Sequence, residues 1–380
     1  MWFGGVPMEQ KKRRGVYSLP AYAGWSNQQL TKNCGIVPYL FYKKFGFHAV
    51  MAGAKTEESY PYMKYVEGMD VEFLPDGEVS TKLDYIRTHA EDMDLFILHG
   101  CYPDYVEIVE CYRSLRPDGK IYMELDINLQ AADRTPWQSG QVKSLLGTCD
   151  VIGASCRSMQ RYMSRKTPYK IEYIPNGFYN FGSMDFTPDF SKKENIILNV
   201  GRLGTYQKNT ELLMEAFADV AAELPEWTVR LVGNMESGFQ NYIETYFEKY
   251  PDLRDRVIFV GLVSDRNQMA EEYKRAKIFA LTSRMEGGTP NVIAEALSAG
   301  NYIVTSEIDA AEEAVDGGHC GEIFPMEDKA QLANILRGLA RDNGKIERGG
   351  RRAVEYAKNA FDFGRIVDRL YYLLYGECGV

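Results

Sequence analysis

No apolar run in this chain of 380 residues approaches the ~18 that a membrane-spanning helix needs, so a transmembrane helix is not expected. The opening MWFGGVPMEQKKRR has basic residues but no apolar stretch of signal-peptide length behind them, so a secretory leader is not expected either. Cysteine is sparse. Cys34, Cys101, Cys111, Cys149, Cys156, Cys320 and Cys378 are odd in number, scattered and without a CxxC, which excludes a disulfide framework and a structural zinc site and points to a reducing cytoplasm. Histidine is rarer still, and His48, His89 and His319 have no partners at metal spacing. Positive charge is short: 44 Lys and Arg against 53 Asp and Glu leave a net −9, which excludes nucleic acid as the main partner. There is no repeat of solenoid length and no low-complexity tract.

What is present is an ordinary globular mixture, 45% apolar and 26% charged, in a chain long enough for two domains. Residues 1–185 carry a net −1 and the rest a net −8, a split that supports two domains. Strand patterns at 15–20, 48–53, 94–100, 120–127, 150–155 and 170–178 alternate with helical patterns, among them 33–44, 105–115 and a helix capped by Ser155. The rhythm then repeats. Strands at 195–201, 227–233, 256–261, 277–283 and 302–307 alternate with helices, and 210–224 sets Leu212, Leu213, Ala216, Phe217, Val220 and Leu224 on one face. Such alternation means an α/β protein with parallel sheets covered on both faces, twice over. The segment 178–194, FYNFGSMDFTPDFSKKE, lacks any apolar period and reads as the linker. The aromatic-rich helix at 361–375 either packs on the second domain or crosses back to the first.

The chemistry is concentrated in the second half. NVGRLGTYQKN (199–209) puts Gly201 at the carboxyl end of a buried strand, where glycine allows a ligand close to the backbone. Arg202 and Lys208 flank a short loop before a helix that begins near Asn209. Two cations beside a helix N-terminus suit a pyrophosphate; the alternative is a solvated loop. A second cluster, SRMEGGTPNVIAEALSAG (283–300), follows another buried strand. Thr289 is read as an N-cap with Pro290 at the first helical position, and Gly300 as the left-handed stop. Gly287 and Gly288 expose backbone N–H groups before that helix as a second anion cradle. Glu286 and Glu295 stand on either side of it, placed to accept hydroxyls of a sugar and of a ribose, or else merely solvated.

At these residues the second half resembles the nucleotide-binding domain of family 4 retaining glycosyltransferases, of GT-B architecture. The resemblance runs over about 195–345 as an ordered series: VGRL…KN, the strand ending at Val232–Gly233, VIFVG, EGGTPNVIAEAL–AG, YIVTS and GEIFP. It implies two Rossmann-like domains facing a cleft: residues 1–180 for the acceptor and 192–358 for the nucleotide sugar, with 359–380 a helix packing back on the first. It also implies donor contacts from Gly201, Arg202, Lys208, Glu286, Gly287, Gly288, Thr289, Pro290, Asn291, Val292 and Glu295, with Arg202 and Lys208 holding the diphosphate, Glu286 the sugar and Glu295 the ribose. UDP is the default nucleotide by family frequency, and no cofactor beyond the donor is expected. Two departures stand out. Eight residues separate Glu286 from Glu295 where the family has seven, and Ile308–Asp309 stand where many members have paired glycines.

The first half resembles the family weakly, through Ala23–Gly24, Gly35 and IPNGF (174–178). Asp126 ends the strand KIYMELDI, where many members place a His nearby. It is the acceptor-side base or a stabiliser of positive charge, or a turn residue before Asn128. His99 ends DLFILHG and is either a substrate contact or structural, and Gly24 joins the acceptor side. Asp92 and Asp94 precede their strand, at the wrong end for a metal motif, so no catalytic metal is expected. Arg157, Arg161, Arg165 and Lys166, with Lys11, Lys12, Arg13 and Arg14, form either solvated faces or a contact to anionic lipid at the inner membrane face or to a polyprenyl-diphosphate acceptor. The expected protein is a cytoplasmic glycosyltransferase acting on a saccharide, lipid-linked or protein acceptor in surface glycan synthesis. The alternatives are a catalytically silent partner subunit of the same fold and a sugar-nucleotide epimerase.

Overall fold

The computed structural model describes residues 14–20, 24–182 and 184–376. The strands are β1 (Gly15–Ser18), β2 (His48–Ala54), β3 (Asp70–Leu74), β4 (Met93–His99), β5 (Lys120–Leu125), β6 (Val151–Ala154), β7 (Ile171–Tyr173), β8 (Glu194–Val200), β9 (Thr228–Val232), β10 (Val257–Gly261), β11 (Ala276–Leu281), β12 (Tyr302–Ser306) and β13 (Gly321–Phe324). They form two sheets, ordered β3-β2-β1-β4-β5-β6-β7 and β10-β9-β8-β11-β12-β13. β1 runs parallel to β2 and β4, and β8 parallel to β9 and β11. The α/β class with two parallel sheets is as the sequence implies.

Physical pattern explains most of the strands. β4 and β12 are buried along nearly their whole length because helices cover both faces of a parallel sheet. The second core gathers Ile197, Val229, Leu231, Ile278 and Val304 from the sheet under Leu213, Phe217, Leu332 and Leu336 from helices. Each of those side chains contributes about 1.5–3 kcal/mol of apolar burial.

Contacts divide the chain into two compact units. The described residues of Met1–Met123, Gly140–Val151 and Tyr371–Val380 form one, and those of Glu124–Ser139 and Ile152–Leu370 the other. Within the second, the non-periodic segment 178–194 is fastened by its aromatics: buried Phe186 meets Phe178 and Tyr273 edge-on. The last helix, Phe363–Tyr375, starts beside a bridge from Phe178 to Asp362, and its Arg369 donates to Tyr173 O at 3.0 Å and to Glu172 at 2.9 Å. Within the first unit, Tyr371 stacks on Phe45 at 4.1 Å.

The segment 170–178, a strand running into a turn by its sequence, is β7 followed by a loop whose Phe178 N–H bonds Phe361 O at 2.8 Å. Two local expectations need correction. Ser155 does not cap the helix Arg157–Lys166, whose N-cap is Cys156. Thr289 does not cap the helix Asn291–Ser298, whose N-cap is Pro290. In both, the hydroxyl is spent on a partner remote in sequence. Gly300 does take the left-handed conformation (φ +68°) after that helix.

Candidate functional site

β8 and β11 are neighbours, and β9 and β12 depart from them in opposite directions across the sheet. Loops leaving the carboxyl ends of two such strands diverge, and ligands of open α/β sheets bind in that crevice. The loop after β8 carries Arg202, Gln207 and Lys208, and the loop after β11 carries Glu286 and the two glycines. The backbone beside them is close-fitting at Gly233 rather than at Gly201. Gly233 has φ +142°, and a Cβ there would lie 1.8 Å from Gly201 O. A Cβ on Gly201 would only touch the Lys208 stem at 3.5 Å.

Four side chains are joined across the two loops. Arg202 donates to the Gln207 amide oxygen. The Gln207 amide nitrogen donates to Met285 O at 3.1 Å and to Glu286 Oε2 at 3.4 Å. Lys208 Nζ donates to Glu286 Oε1 in an ion pair whose side chains are 14% and 9% exposed. At that burial each charge needs its partner, since an isolated one would cost several kcal/mol. The backbone follows: Arg284 N–H donates to Gln207 O at 2.8 Å, and the Thr282 hydroxyl to Lys208 O at 3.0 Å. Asn209, in the left-handed conformation, starts the helix Thr210–Val220 directly after Lys208. Gln207 escapes sequence reasoning, because a neutral amide carries no signal until its two partners are known.

The glycine loop is held by residues far back in the chain but in the same compact unit. Ser155 Oγ donates to Gly287 O at 3.0 Å, and Ser155 O accepts from the Thr289 N–H and hydroxyl at 3.3 and 3.0 Å. A Cβ on Gly288 (φ +114°) would sit 1.9 Å from Ser155 Oγ. Exposed Asp126 lies alongside: its Oδ1 is 2.7 Å from where a Gly287 Cβ would be. Asn291 donates to Gly177 O at 3.2 Å, while Pro290 and Val292 are partly exposed. The helix therefore starts at a docked loop, and Glu295 faces inward from it, paired with Arg266. Arg266 is the second residue that sequence reasoning misses.

Other expected positions fall elsewhere. His99 is 2% exposed in the first unit, with Nε2 2.9 Å from Ser18 Oγ. Gly24 packs where a Cβ would meet Thr56 and Ala54 O at 2.5 and 2.7 Å. Asp94 pairs with Arg116 at 2.7 Å and accepts from Gly15 N–H at 2.8 Å. Arg157 lies over the Tyr173 ring at 3.9 Å, its N–H bonded to Glu313, while Arg161, Arg165 and Lys166 are exposed. Lys11, Lys12, Arg13 and Ala23 lie outside the described residues. Among the described residues no three His, Cys, Asp or Glu side chains group as metal ligands.

Residues 194–342 match the family described as Glycosyl transferases group 1. A phosphatidyl-myo-inositol mannosyltransferase of Mycolicibacterium smegmatis is 24% identical over 189 residues, 48% of this chain and 47% of that one. Spore coat protein SA of Bacillus subtilis is 26% identical over 47% of this chain and 48% of its own. This chain thus spans about half the length of these two relatives. The amylovoran biosynthesis glycosyltransferase AmsD of Erwinia amylovora is 24% identical over 62% of this chain and 78% of its own. The structure of HepE from Anabaena in complex with UDP superimposes with a TM-score of 0.72 at 17% identity, covering 94% of this chain and 98% of that one. Sucrose-phosphate synthase from Thermosynechococcus elongatus gives 0.70 at 18% identity over 95% and 98%. The fold, two parallel Rossmann-like sheets, is that of the GT-B glycosyltransferases.

Proposed function

We propose that this chain, whose residues 194–342 match the Glycosyl transferases group 1, moves a hexosyl group from a nucleotide diphosphate donor, UDP by default, to a saccharide, lipid-linked or protein acceptor. The observation that carries this reading is the joined set Arg202, Gln207, Lys208 and Glu286 at the ends of β8 and β11. In it Arg202 and Lys208 meet the diphosphate, beside the start of the helix Thr210–Val220. Charge grows on that group as the sugar leaves, and cations already held in place stabilise it without reorganising; one such donor is worth about 10²–10³ in rate. Glu286, fixed by Lys208 and Gln207, accepts sugar hydroxyls, and Glu295 those of the ribose. The segment Gly287–Val292 and Gly201 lie along the donor in this proposal.

Asp126 is the acceptor-side carboxylate in this reading, and Gly24 and His99 shape that side. Transfer is with retention. The acceptor hydroxyl attacks the anomeric carbon from the face the diphosphate leaves, the old C–O bond breaks as the new one forms, and the proton passes to a departing phosphate oxygen. The mannosyltransferase and amylovoran relatives support a hexosyl donor and glycan synthesis, and the HepE complex supports UDP. The six described cysteines are free, which supports a reducing cytoplasm. No helix among the described residues is long and apolar enough to cross a membrane.

The test is turnover of UDP-, GDP- and ADP-hexoses with acceptor extracts, followed by nucleotide release and by labelled sugar. Lys208→Ala should lower transfer by at least about a hundredfold, and because it leaves Glu286 buried without its cation, its Tm is read alongside so that loss of turnover is scored only on folded protein. Epimerised donor with no transfer would replace the reading with an isomerase. No turnover and no nucleotide binding would replace it with a silent partner subunit.

A further inference from the structure

Glu295 has company at the position given above to the ribose. Its side chain is 10% exposed and ion-paired with Arg266, itself 12% exposed. The two come from separate segments: Glu295 from the helix Asn291–Ser298, and Arg266 from the first residue of the helix Arg266–Arg275 that follows β10. Both helices start on the carboxyl side of the sheet, the side that carries Arg202 and Lys208. Tyr273, two turns along the same helix as Arg266, is fully enclosed; burial first, and then the Glu295 charge, push its phenol well above the ordinary range. A carboxylate this enclosed is costly to leave without a cation, so the pair holds together and keeps the carboxylate in one place.

We infer that Arg266 is a positioning residue for the donor, holding Glu295 as an oriented carboxylate that reads the ribose through its hydroxyls. The inference rests on the assignment of Glu295 to the ribose. It goes beyond it by making ribose recognition depend on a residue that acts through Glu295. Arg266 Nη2 donates to Glu295 Oε1, a charge-assisted bond that holds the carboxylate in place. A residue that merely stabilised the domain would affect all nucleotides alike. A positioning residue affects only those with hydroxyls to be read.

Calorimetric affinities are measured for UDP, 2′-deoxy-UDP and 3′-deoxy-UDP on the wild-type protein, Arg266→Gln and Arg266→Lys. GDP or ADP and their deoxy forms are used if the wild type prefers that base. The wild type should favour the ribonucleotide by about tenfold or more. Arg266→Gln should lose about tenfold to a hundredfold for the ribonucleotide and less than about twofold for at least one deoxy form. Arg266→Lys should fall between. Equal weakening of all three ligands, or no weakening, overturns the inference while the donor reading stands. If Arg266→Gln does not fold, the same comparison is made on Arg266→Lys, and an unchanged preference there overturns it. A wild type that binds no nucleoside diphosphate overturns the donor reading and the inference together.

Discussion

Gln207 is a neutral side chain among charges, and both ends of its amide are used. Its oxygen takes Arg202 and its nitrogen serves Glu286 and Met285 O. Only an amide of this length offers an acceptor and a donor at once, so neither Glu nor Lys could replace it. Gln207→Leu keeps the bulk and removes all three bonds. Arg202 then loses its anchor and Glu286 one of its partners, while the Lys208–Glu286 pair remains. We expect kcat/KM to fall about tenfold to a hundredfold, carried mainly by kcat, with Tm shifted by only a few degrees. An unchanged kcat in a folded variant would show that the bridge plays no part in turnover. Legibility at this scale divides along the same line. Arg202, Lys208 and Glu286 stand out in the sequence as charges in the short loops that follow buried strands, and Glu295 as a carboxylate among the apolar positions of a helix. Gln207 and Arg266 do not, because each acquires its meaning from a carboxylate 79 or 29 residues away.

Helix ends show how tertiary contacts override local capping. By composition Ser155 and Thr289 are good caps, yet both are spent on clasping the glycine loop. The helix Arg157–Lys166 is instead capped from a distance, its first N–H donating to the Glu313 carboxylate. Asp309 accepts from Leu129 N–H at 2.7 Å in the same way. Burial raises the Glu313 pKa from the model-compound 4.5 to about 7, against the lowering effect of the Arg157 N–H, and burial raises Asp309 too. The folded protein therefore keeps a proton on Glu313 that the unfolded chain loses near pH 4.5. Its contribution to stability is full below that pH and drains away as the pH rises through about 7. Glu313→Gln keeps an acceptor oxygen and removes the titration. Between pH 5 and 8 the wild-type Tm should fall by about 5 °C more than that of the variant. Parallel curves would mean that Glu313 ionises in the fold as easily as out of it. No sequence pattern marks these caps, since the two halves of each are more than 150 residues apart.

At the scale of the molecule the sequence is most legible, because periodicity is a property of whole segments. Runs such as DLFILHG and NIILNVG announce buried parallel strands, and their alternation with helices gives two sheets. What escapes is β3, half-exposed and weakly apolar, and strand order, which no local pattern encodes. Order is nonetheless what makes the site, since β8 and β11 meet only because the chain reverses direction across the sheet. A ligand bound across that junction ties together segments from 201 to 295, so occupancy should be felt by the whole second sheet. Binding to the folded state alone adds about 2.7 kcal/mol at a hundred times Kd, or about 5–10 °C for a domain of this size. In the proposed function the charge that meets the diphosphate comes from Arg202 and Lys208, in a half of the chain whose net charge is −8. That proposal has a fixed local pair, rather than a general positive field, do the binding, and expects no added cation. One nucleotide among UDP, GDP, ADP and dTDP should raise Tm by that amount, equally with and without EDTA, and Lys208→Ala should abolish the rise. A rise that vanishes in EDTA would mean that a metal ion bridges the diphosphate to the protein, and the roles of Arg202 and Lys208 would have to be redrawn around it.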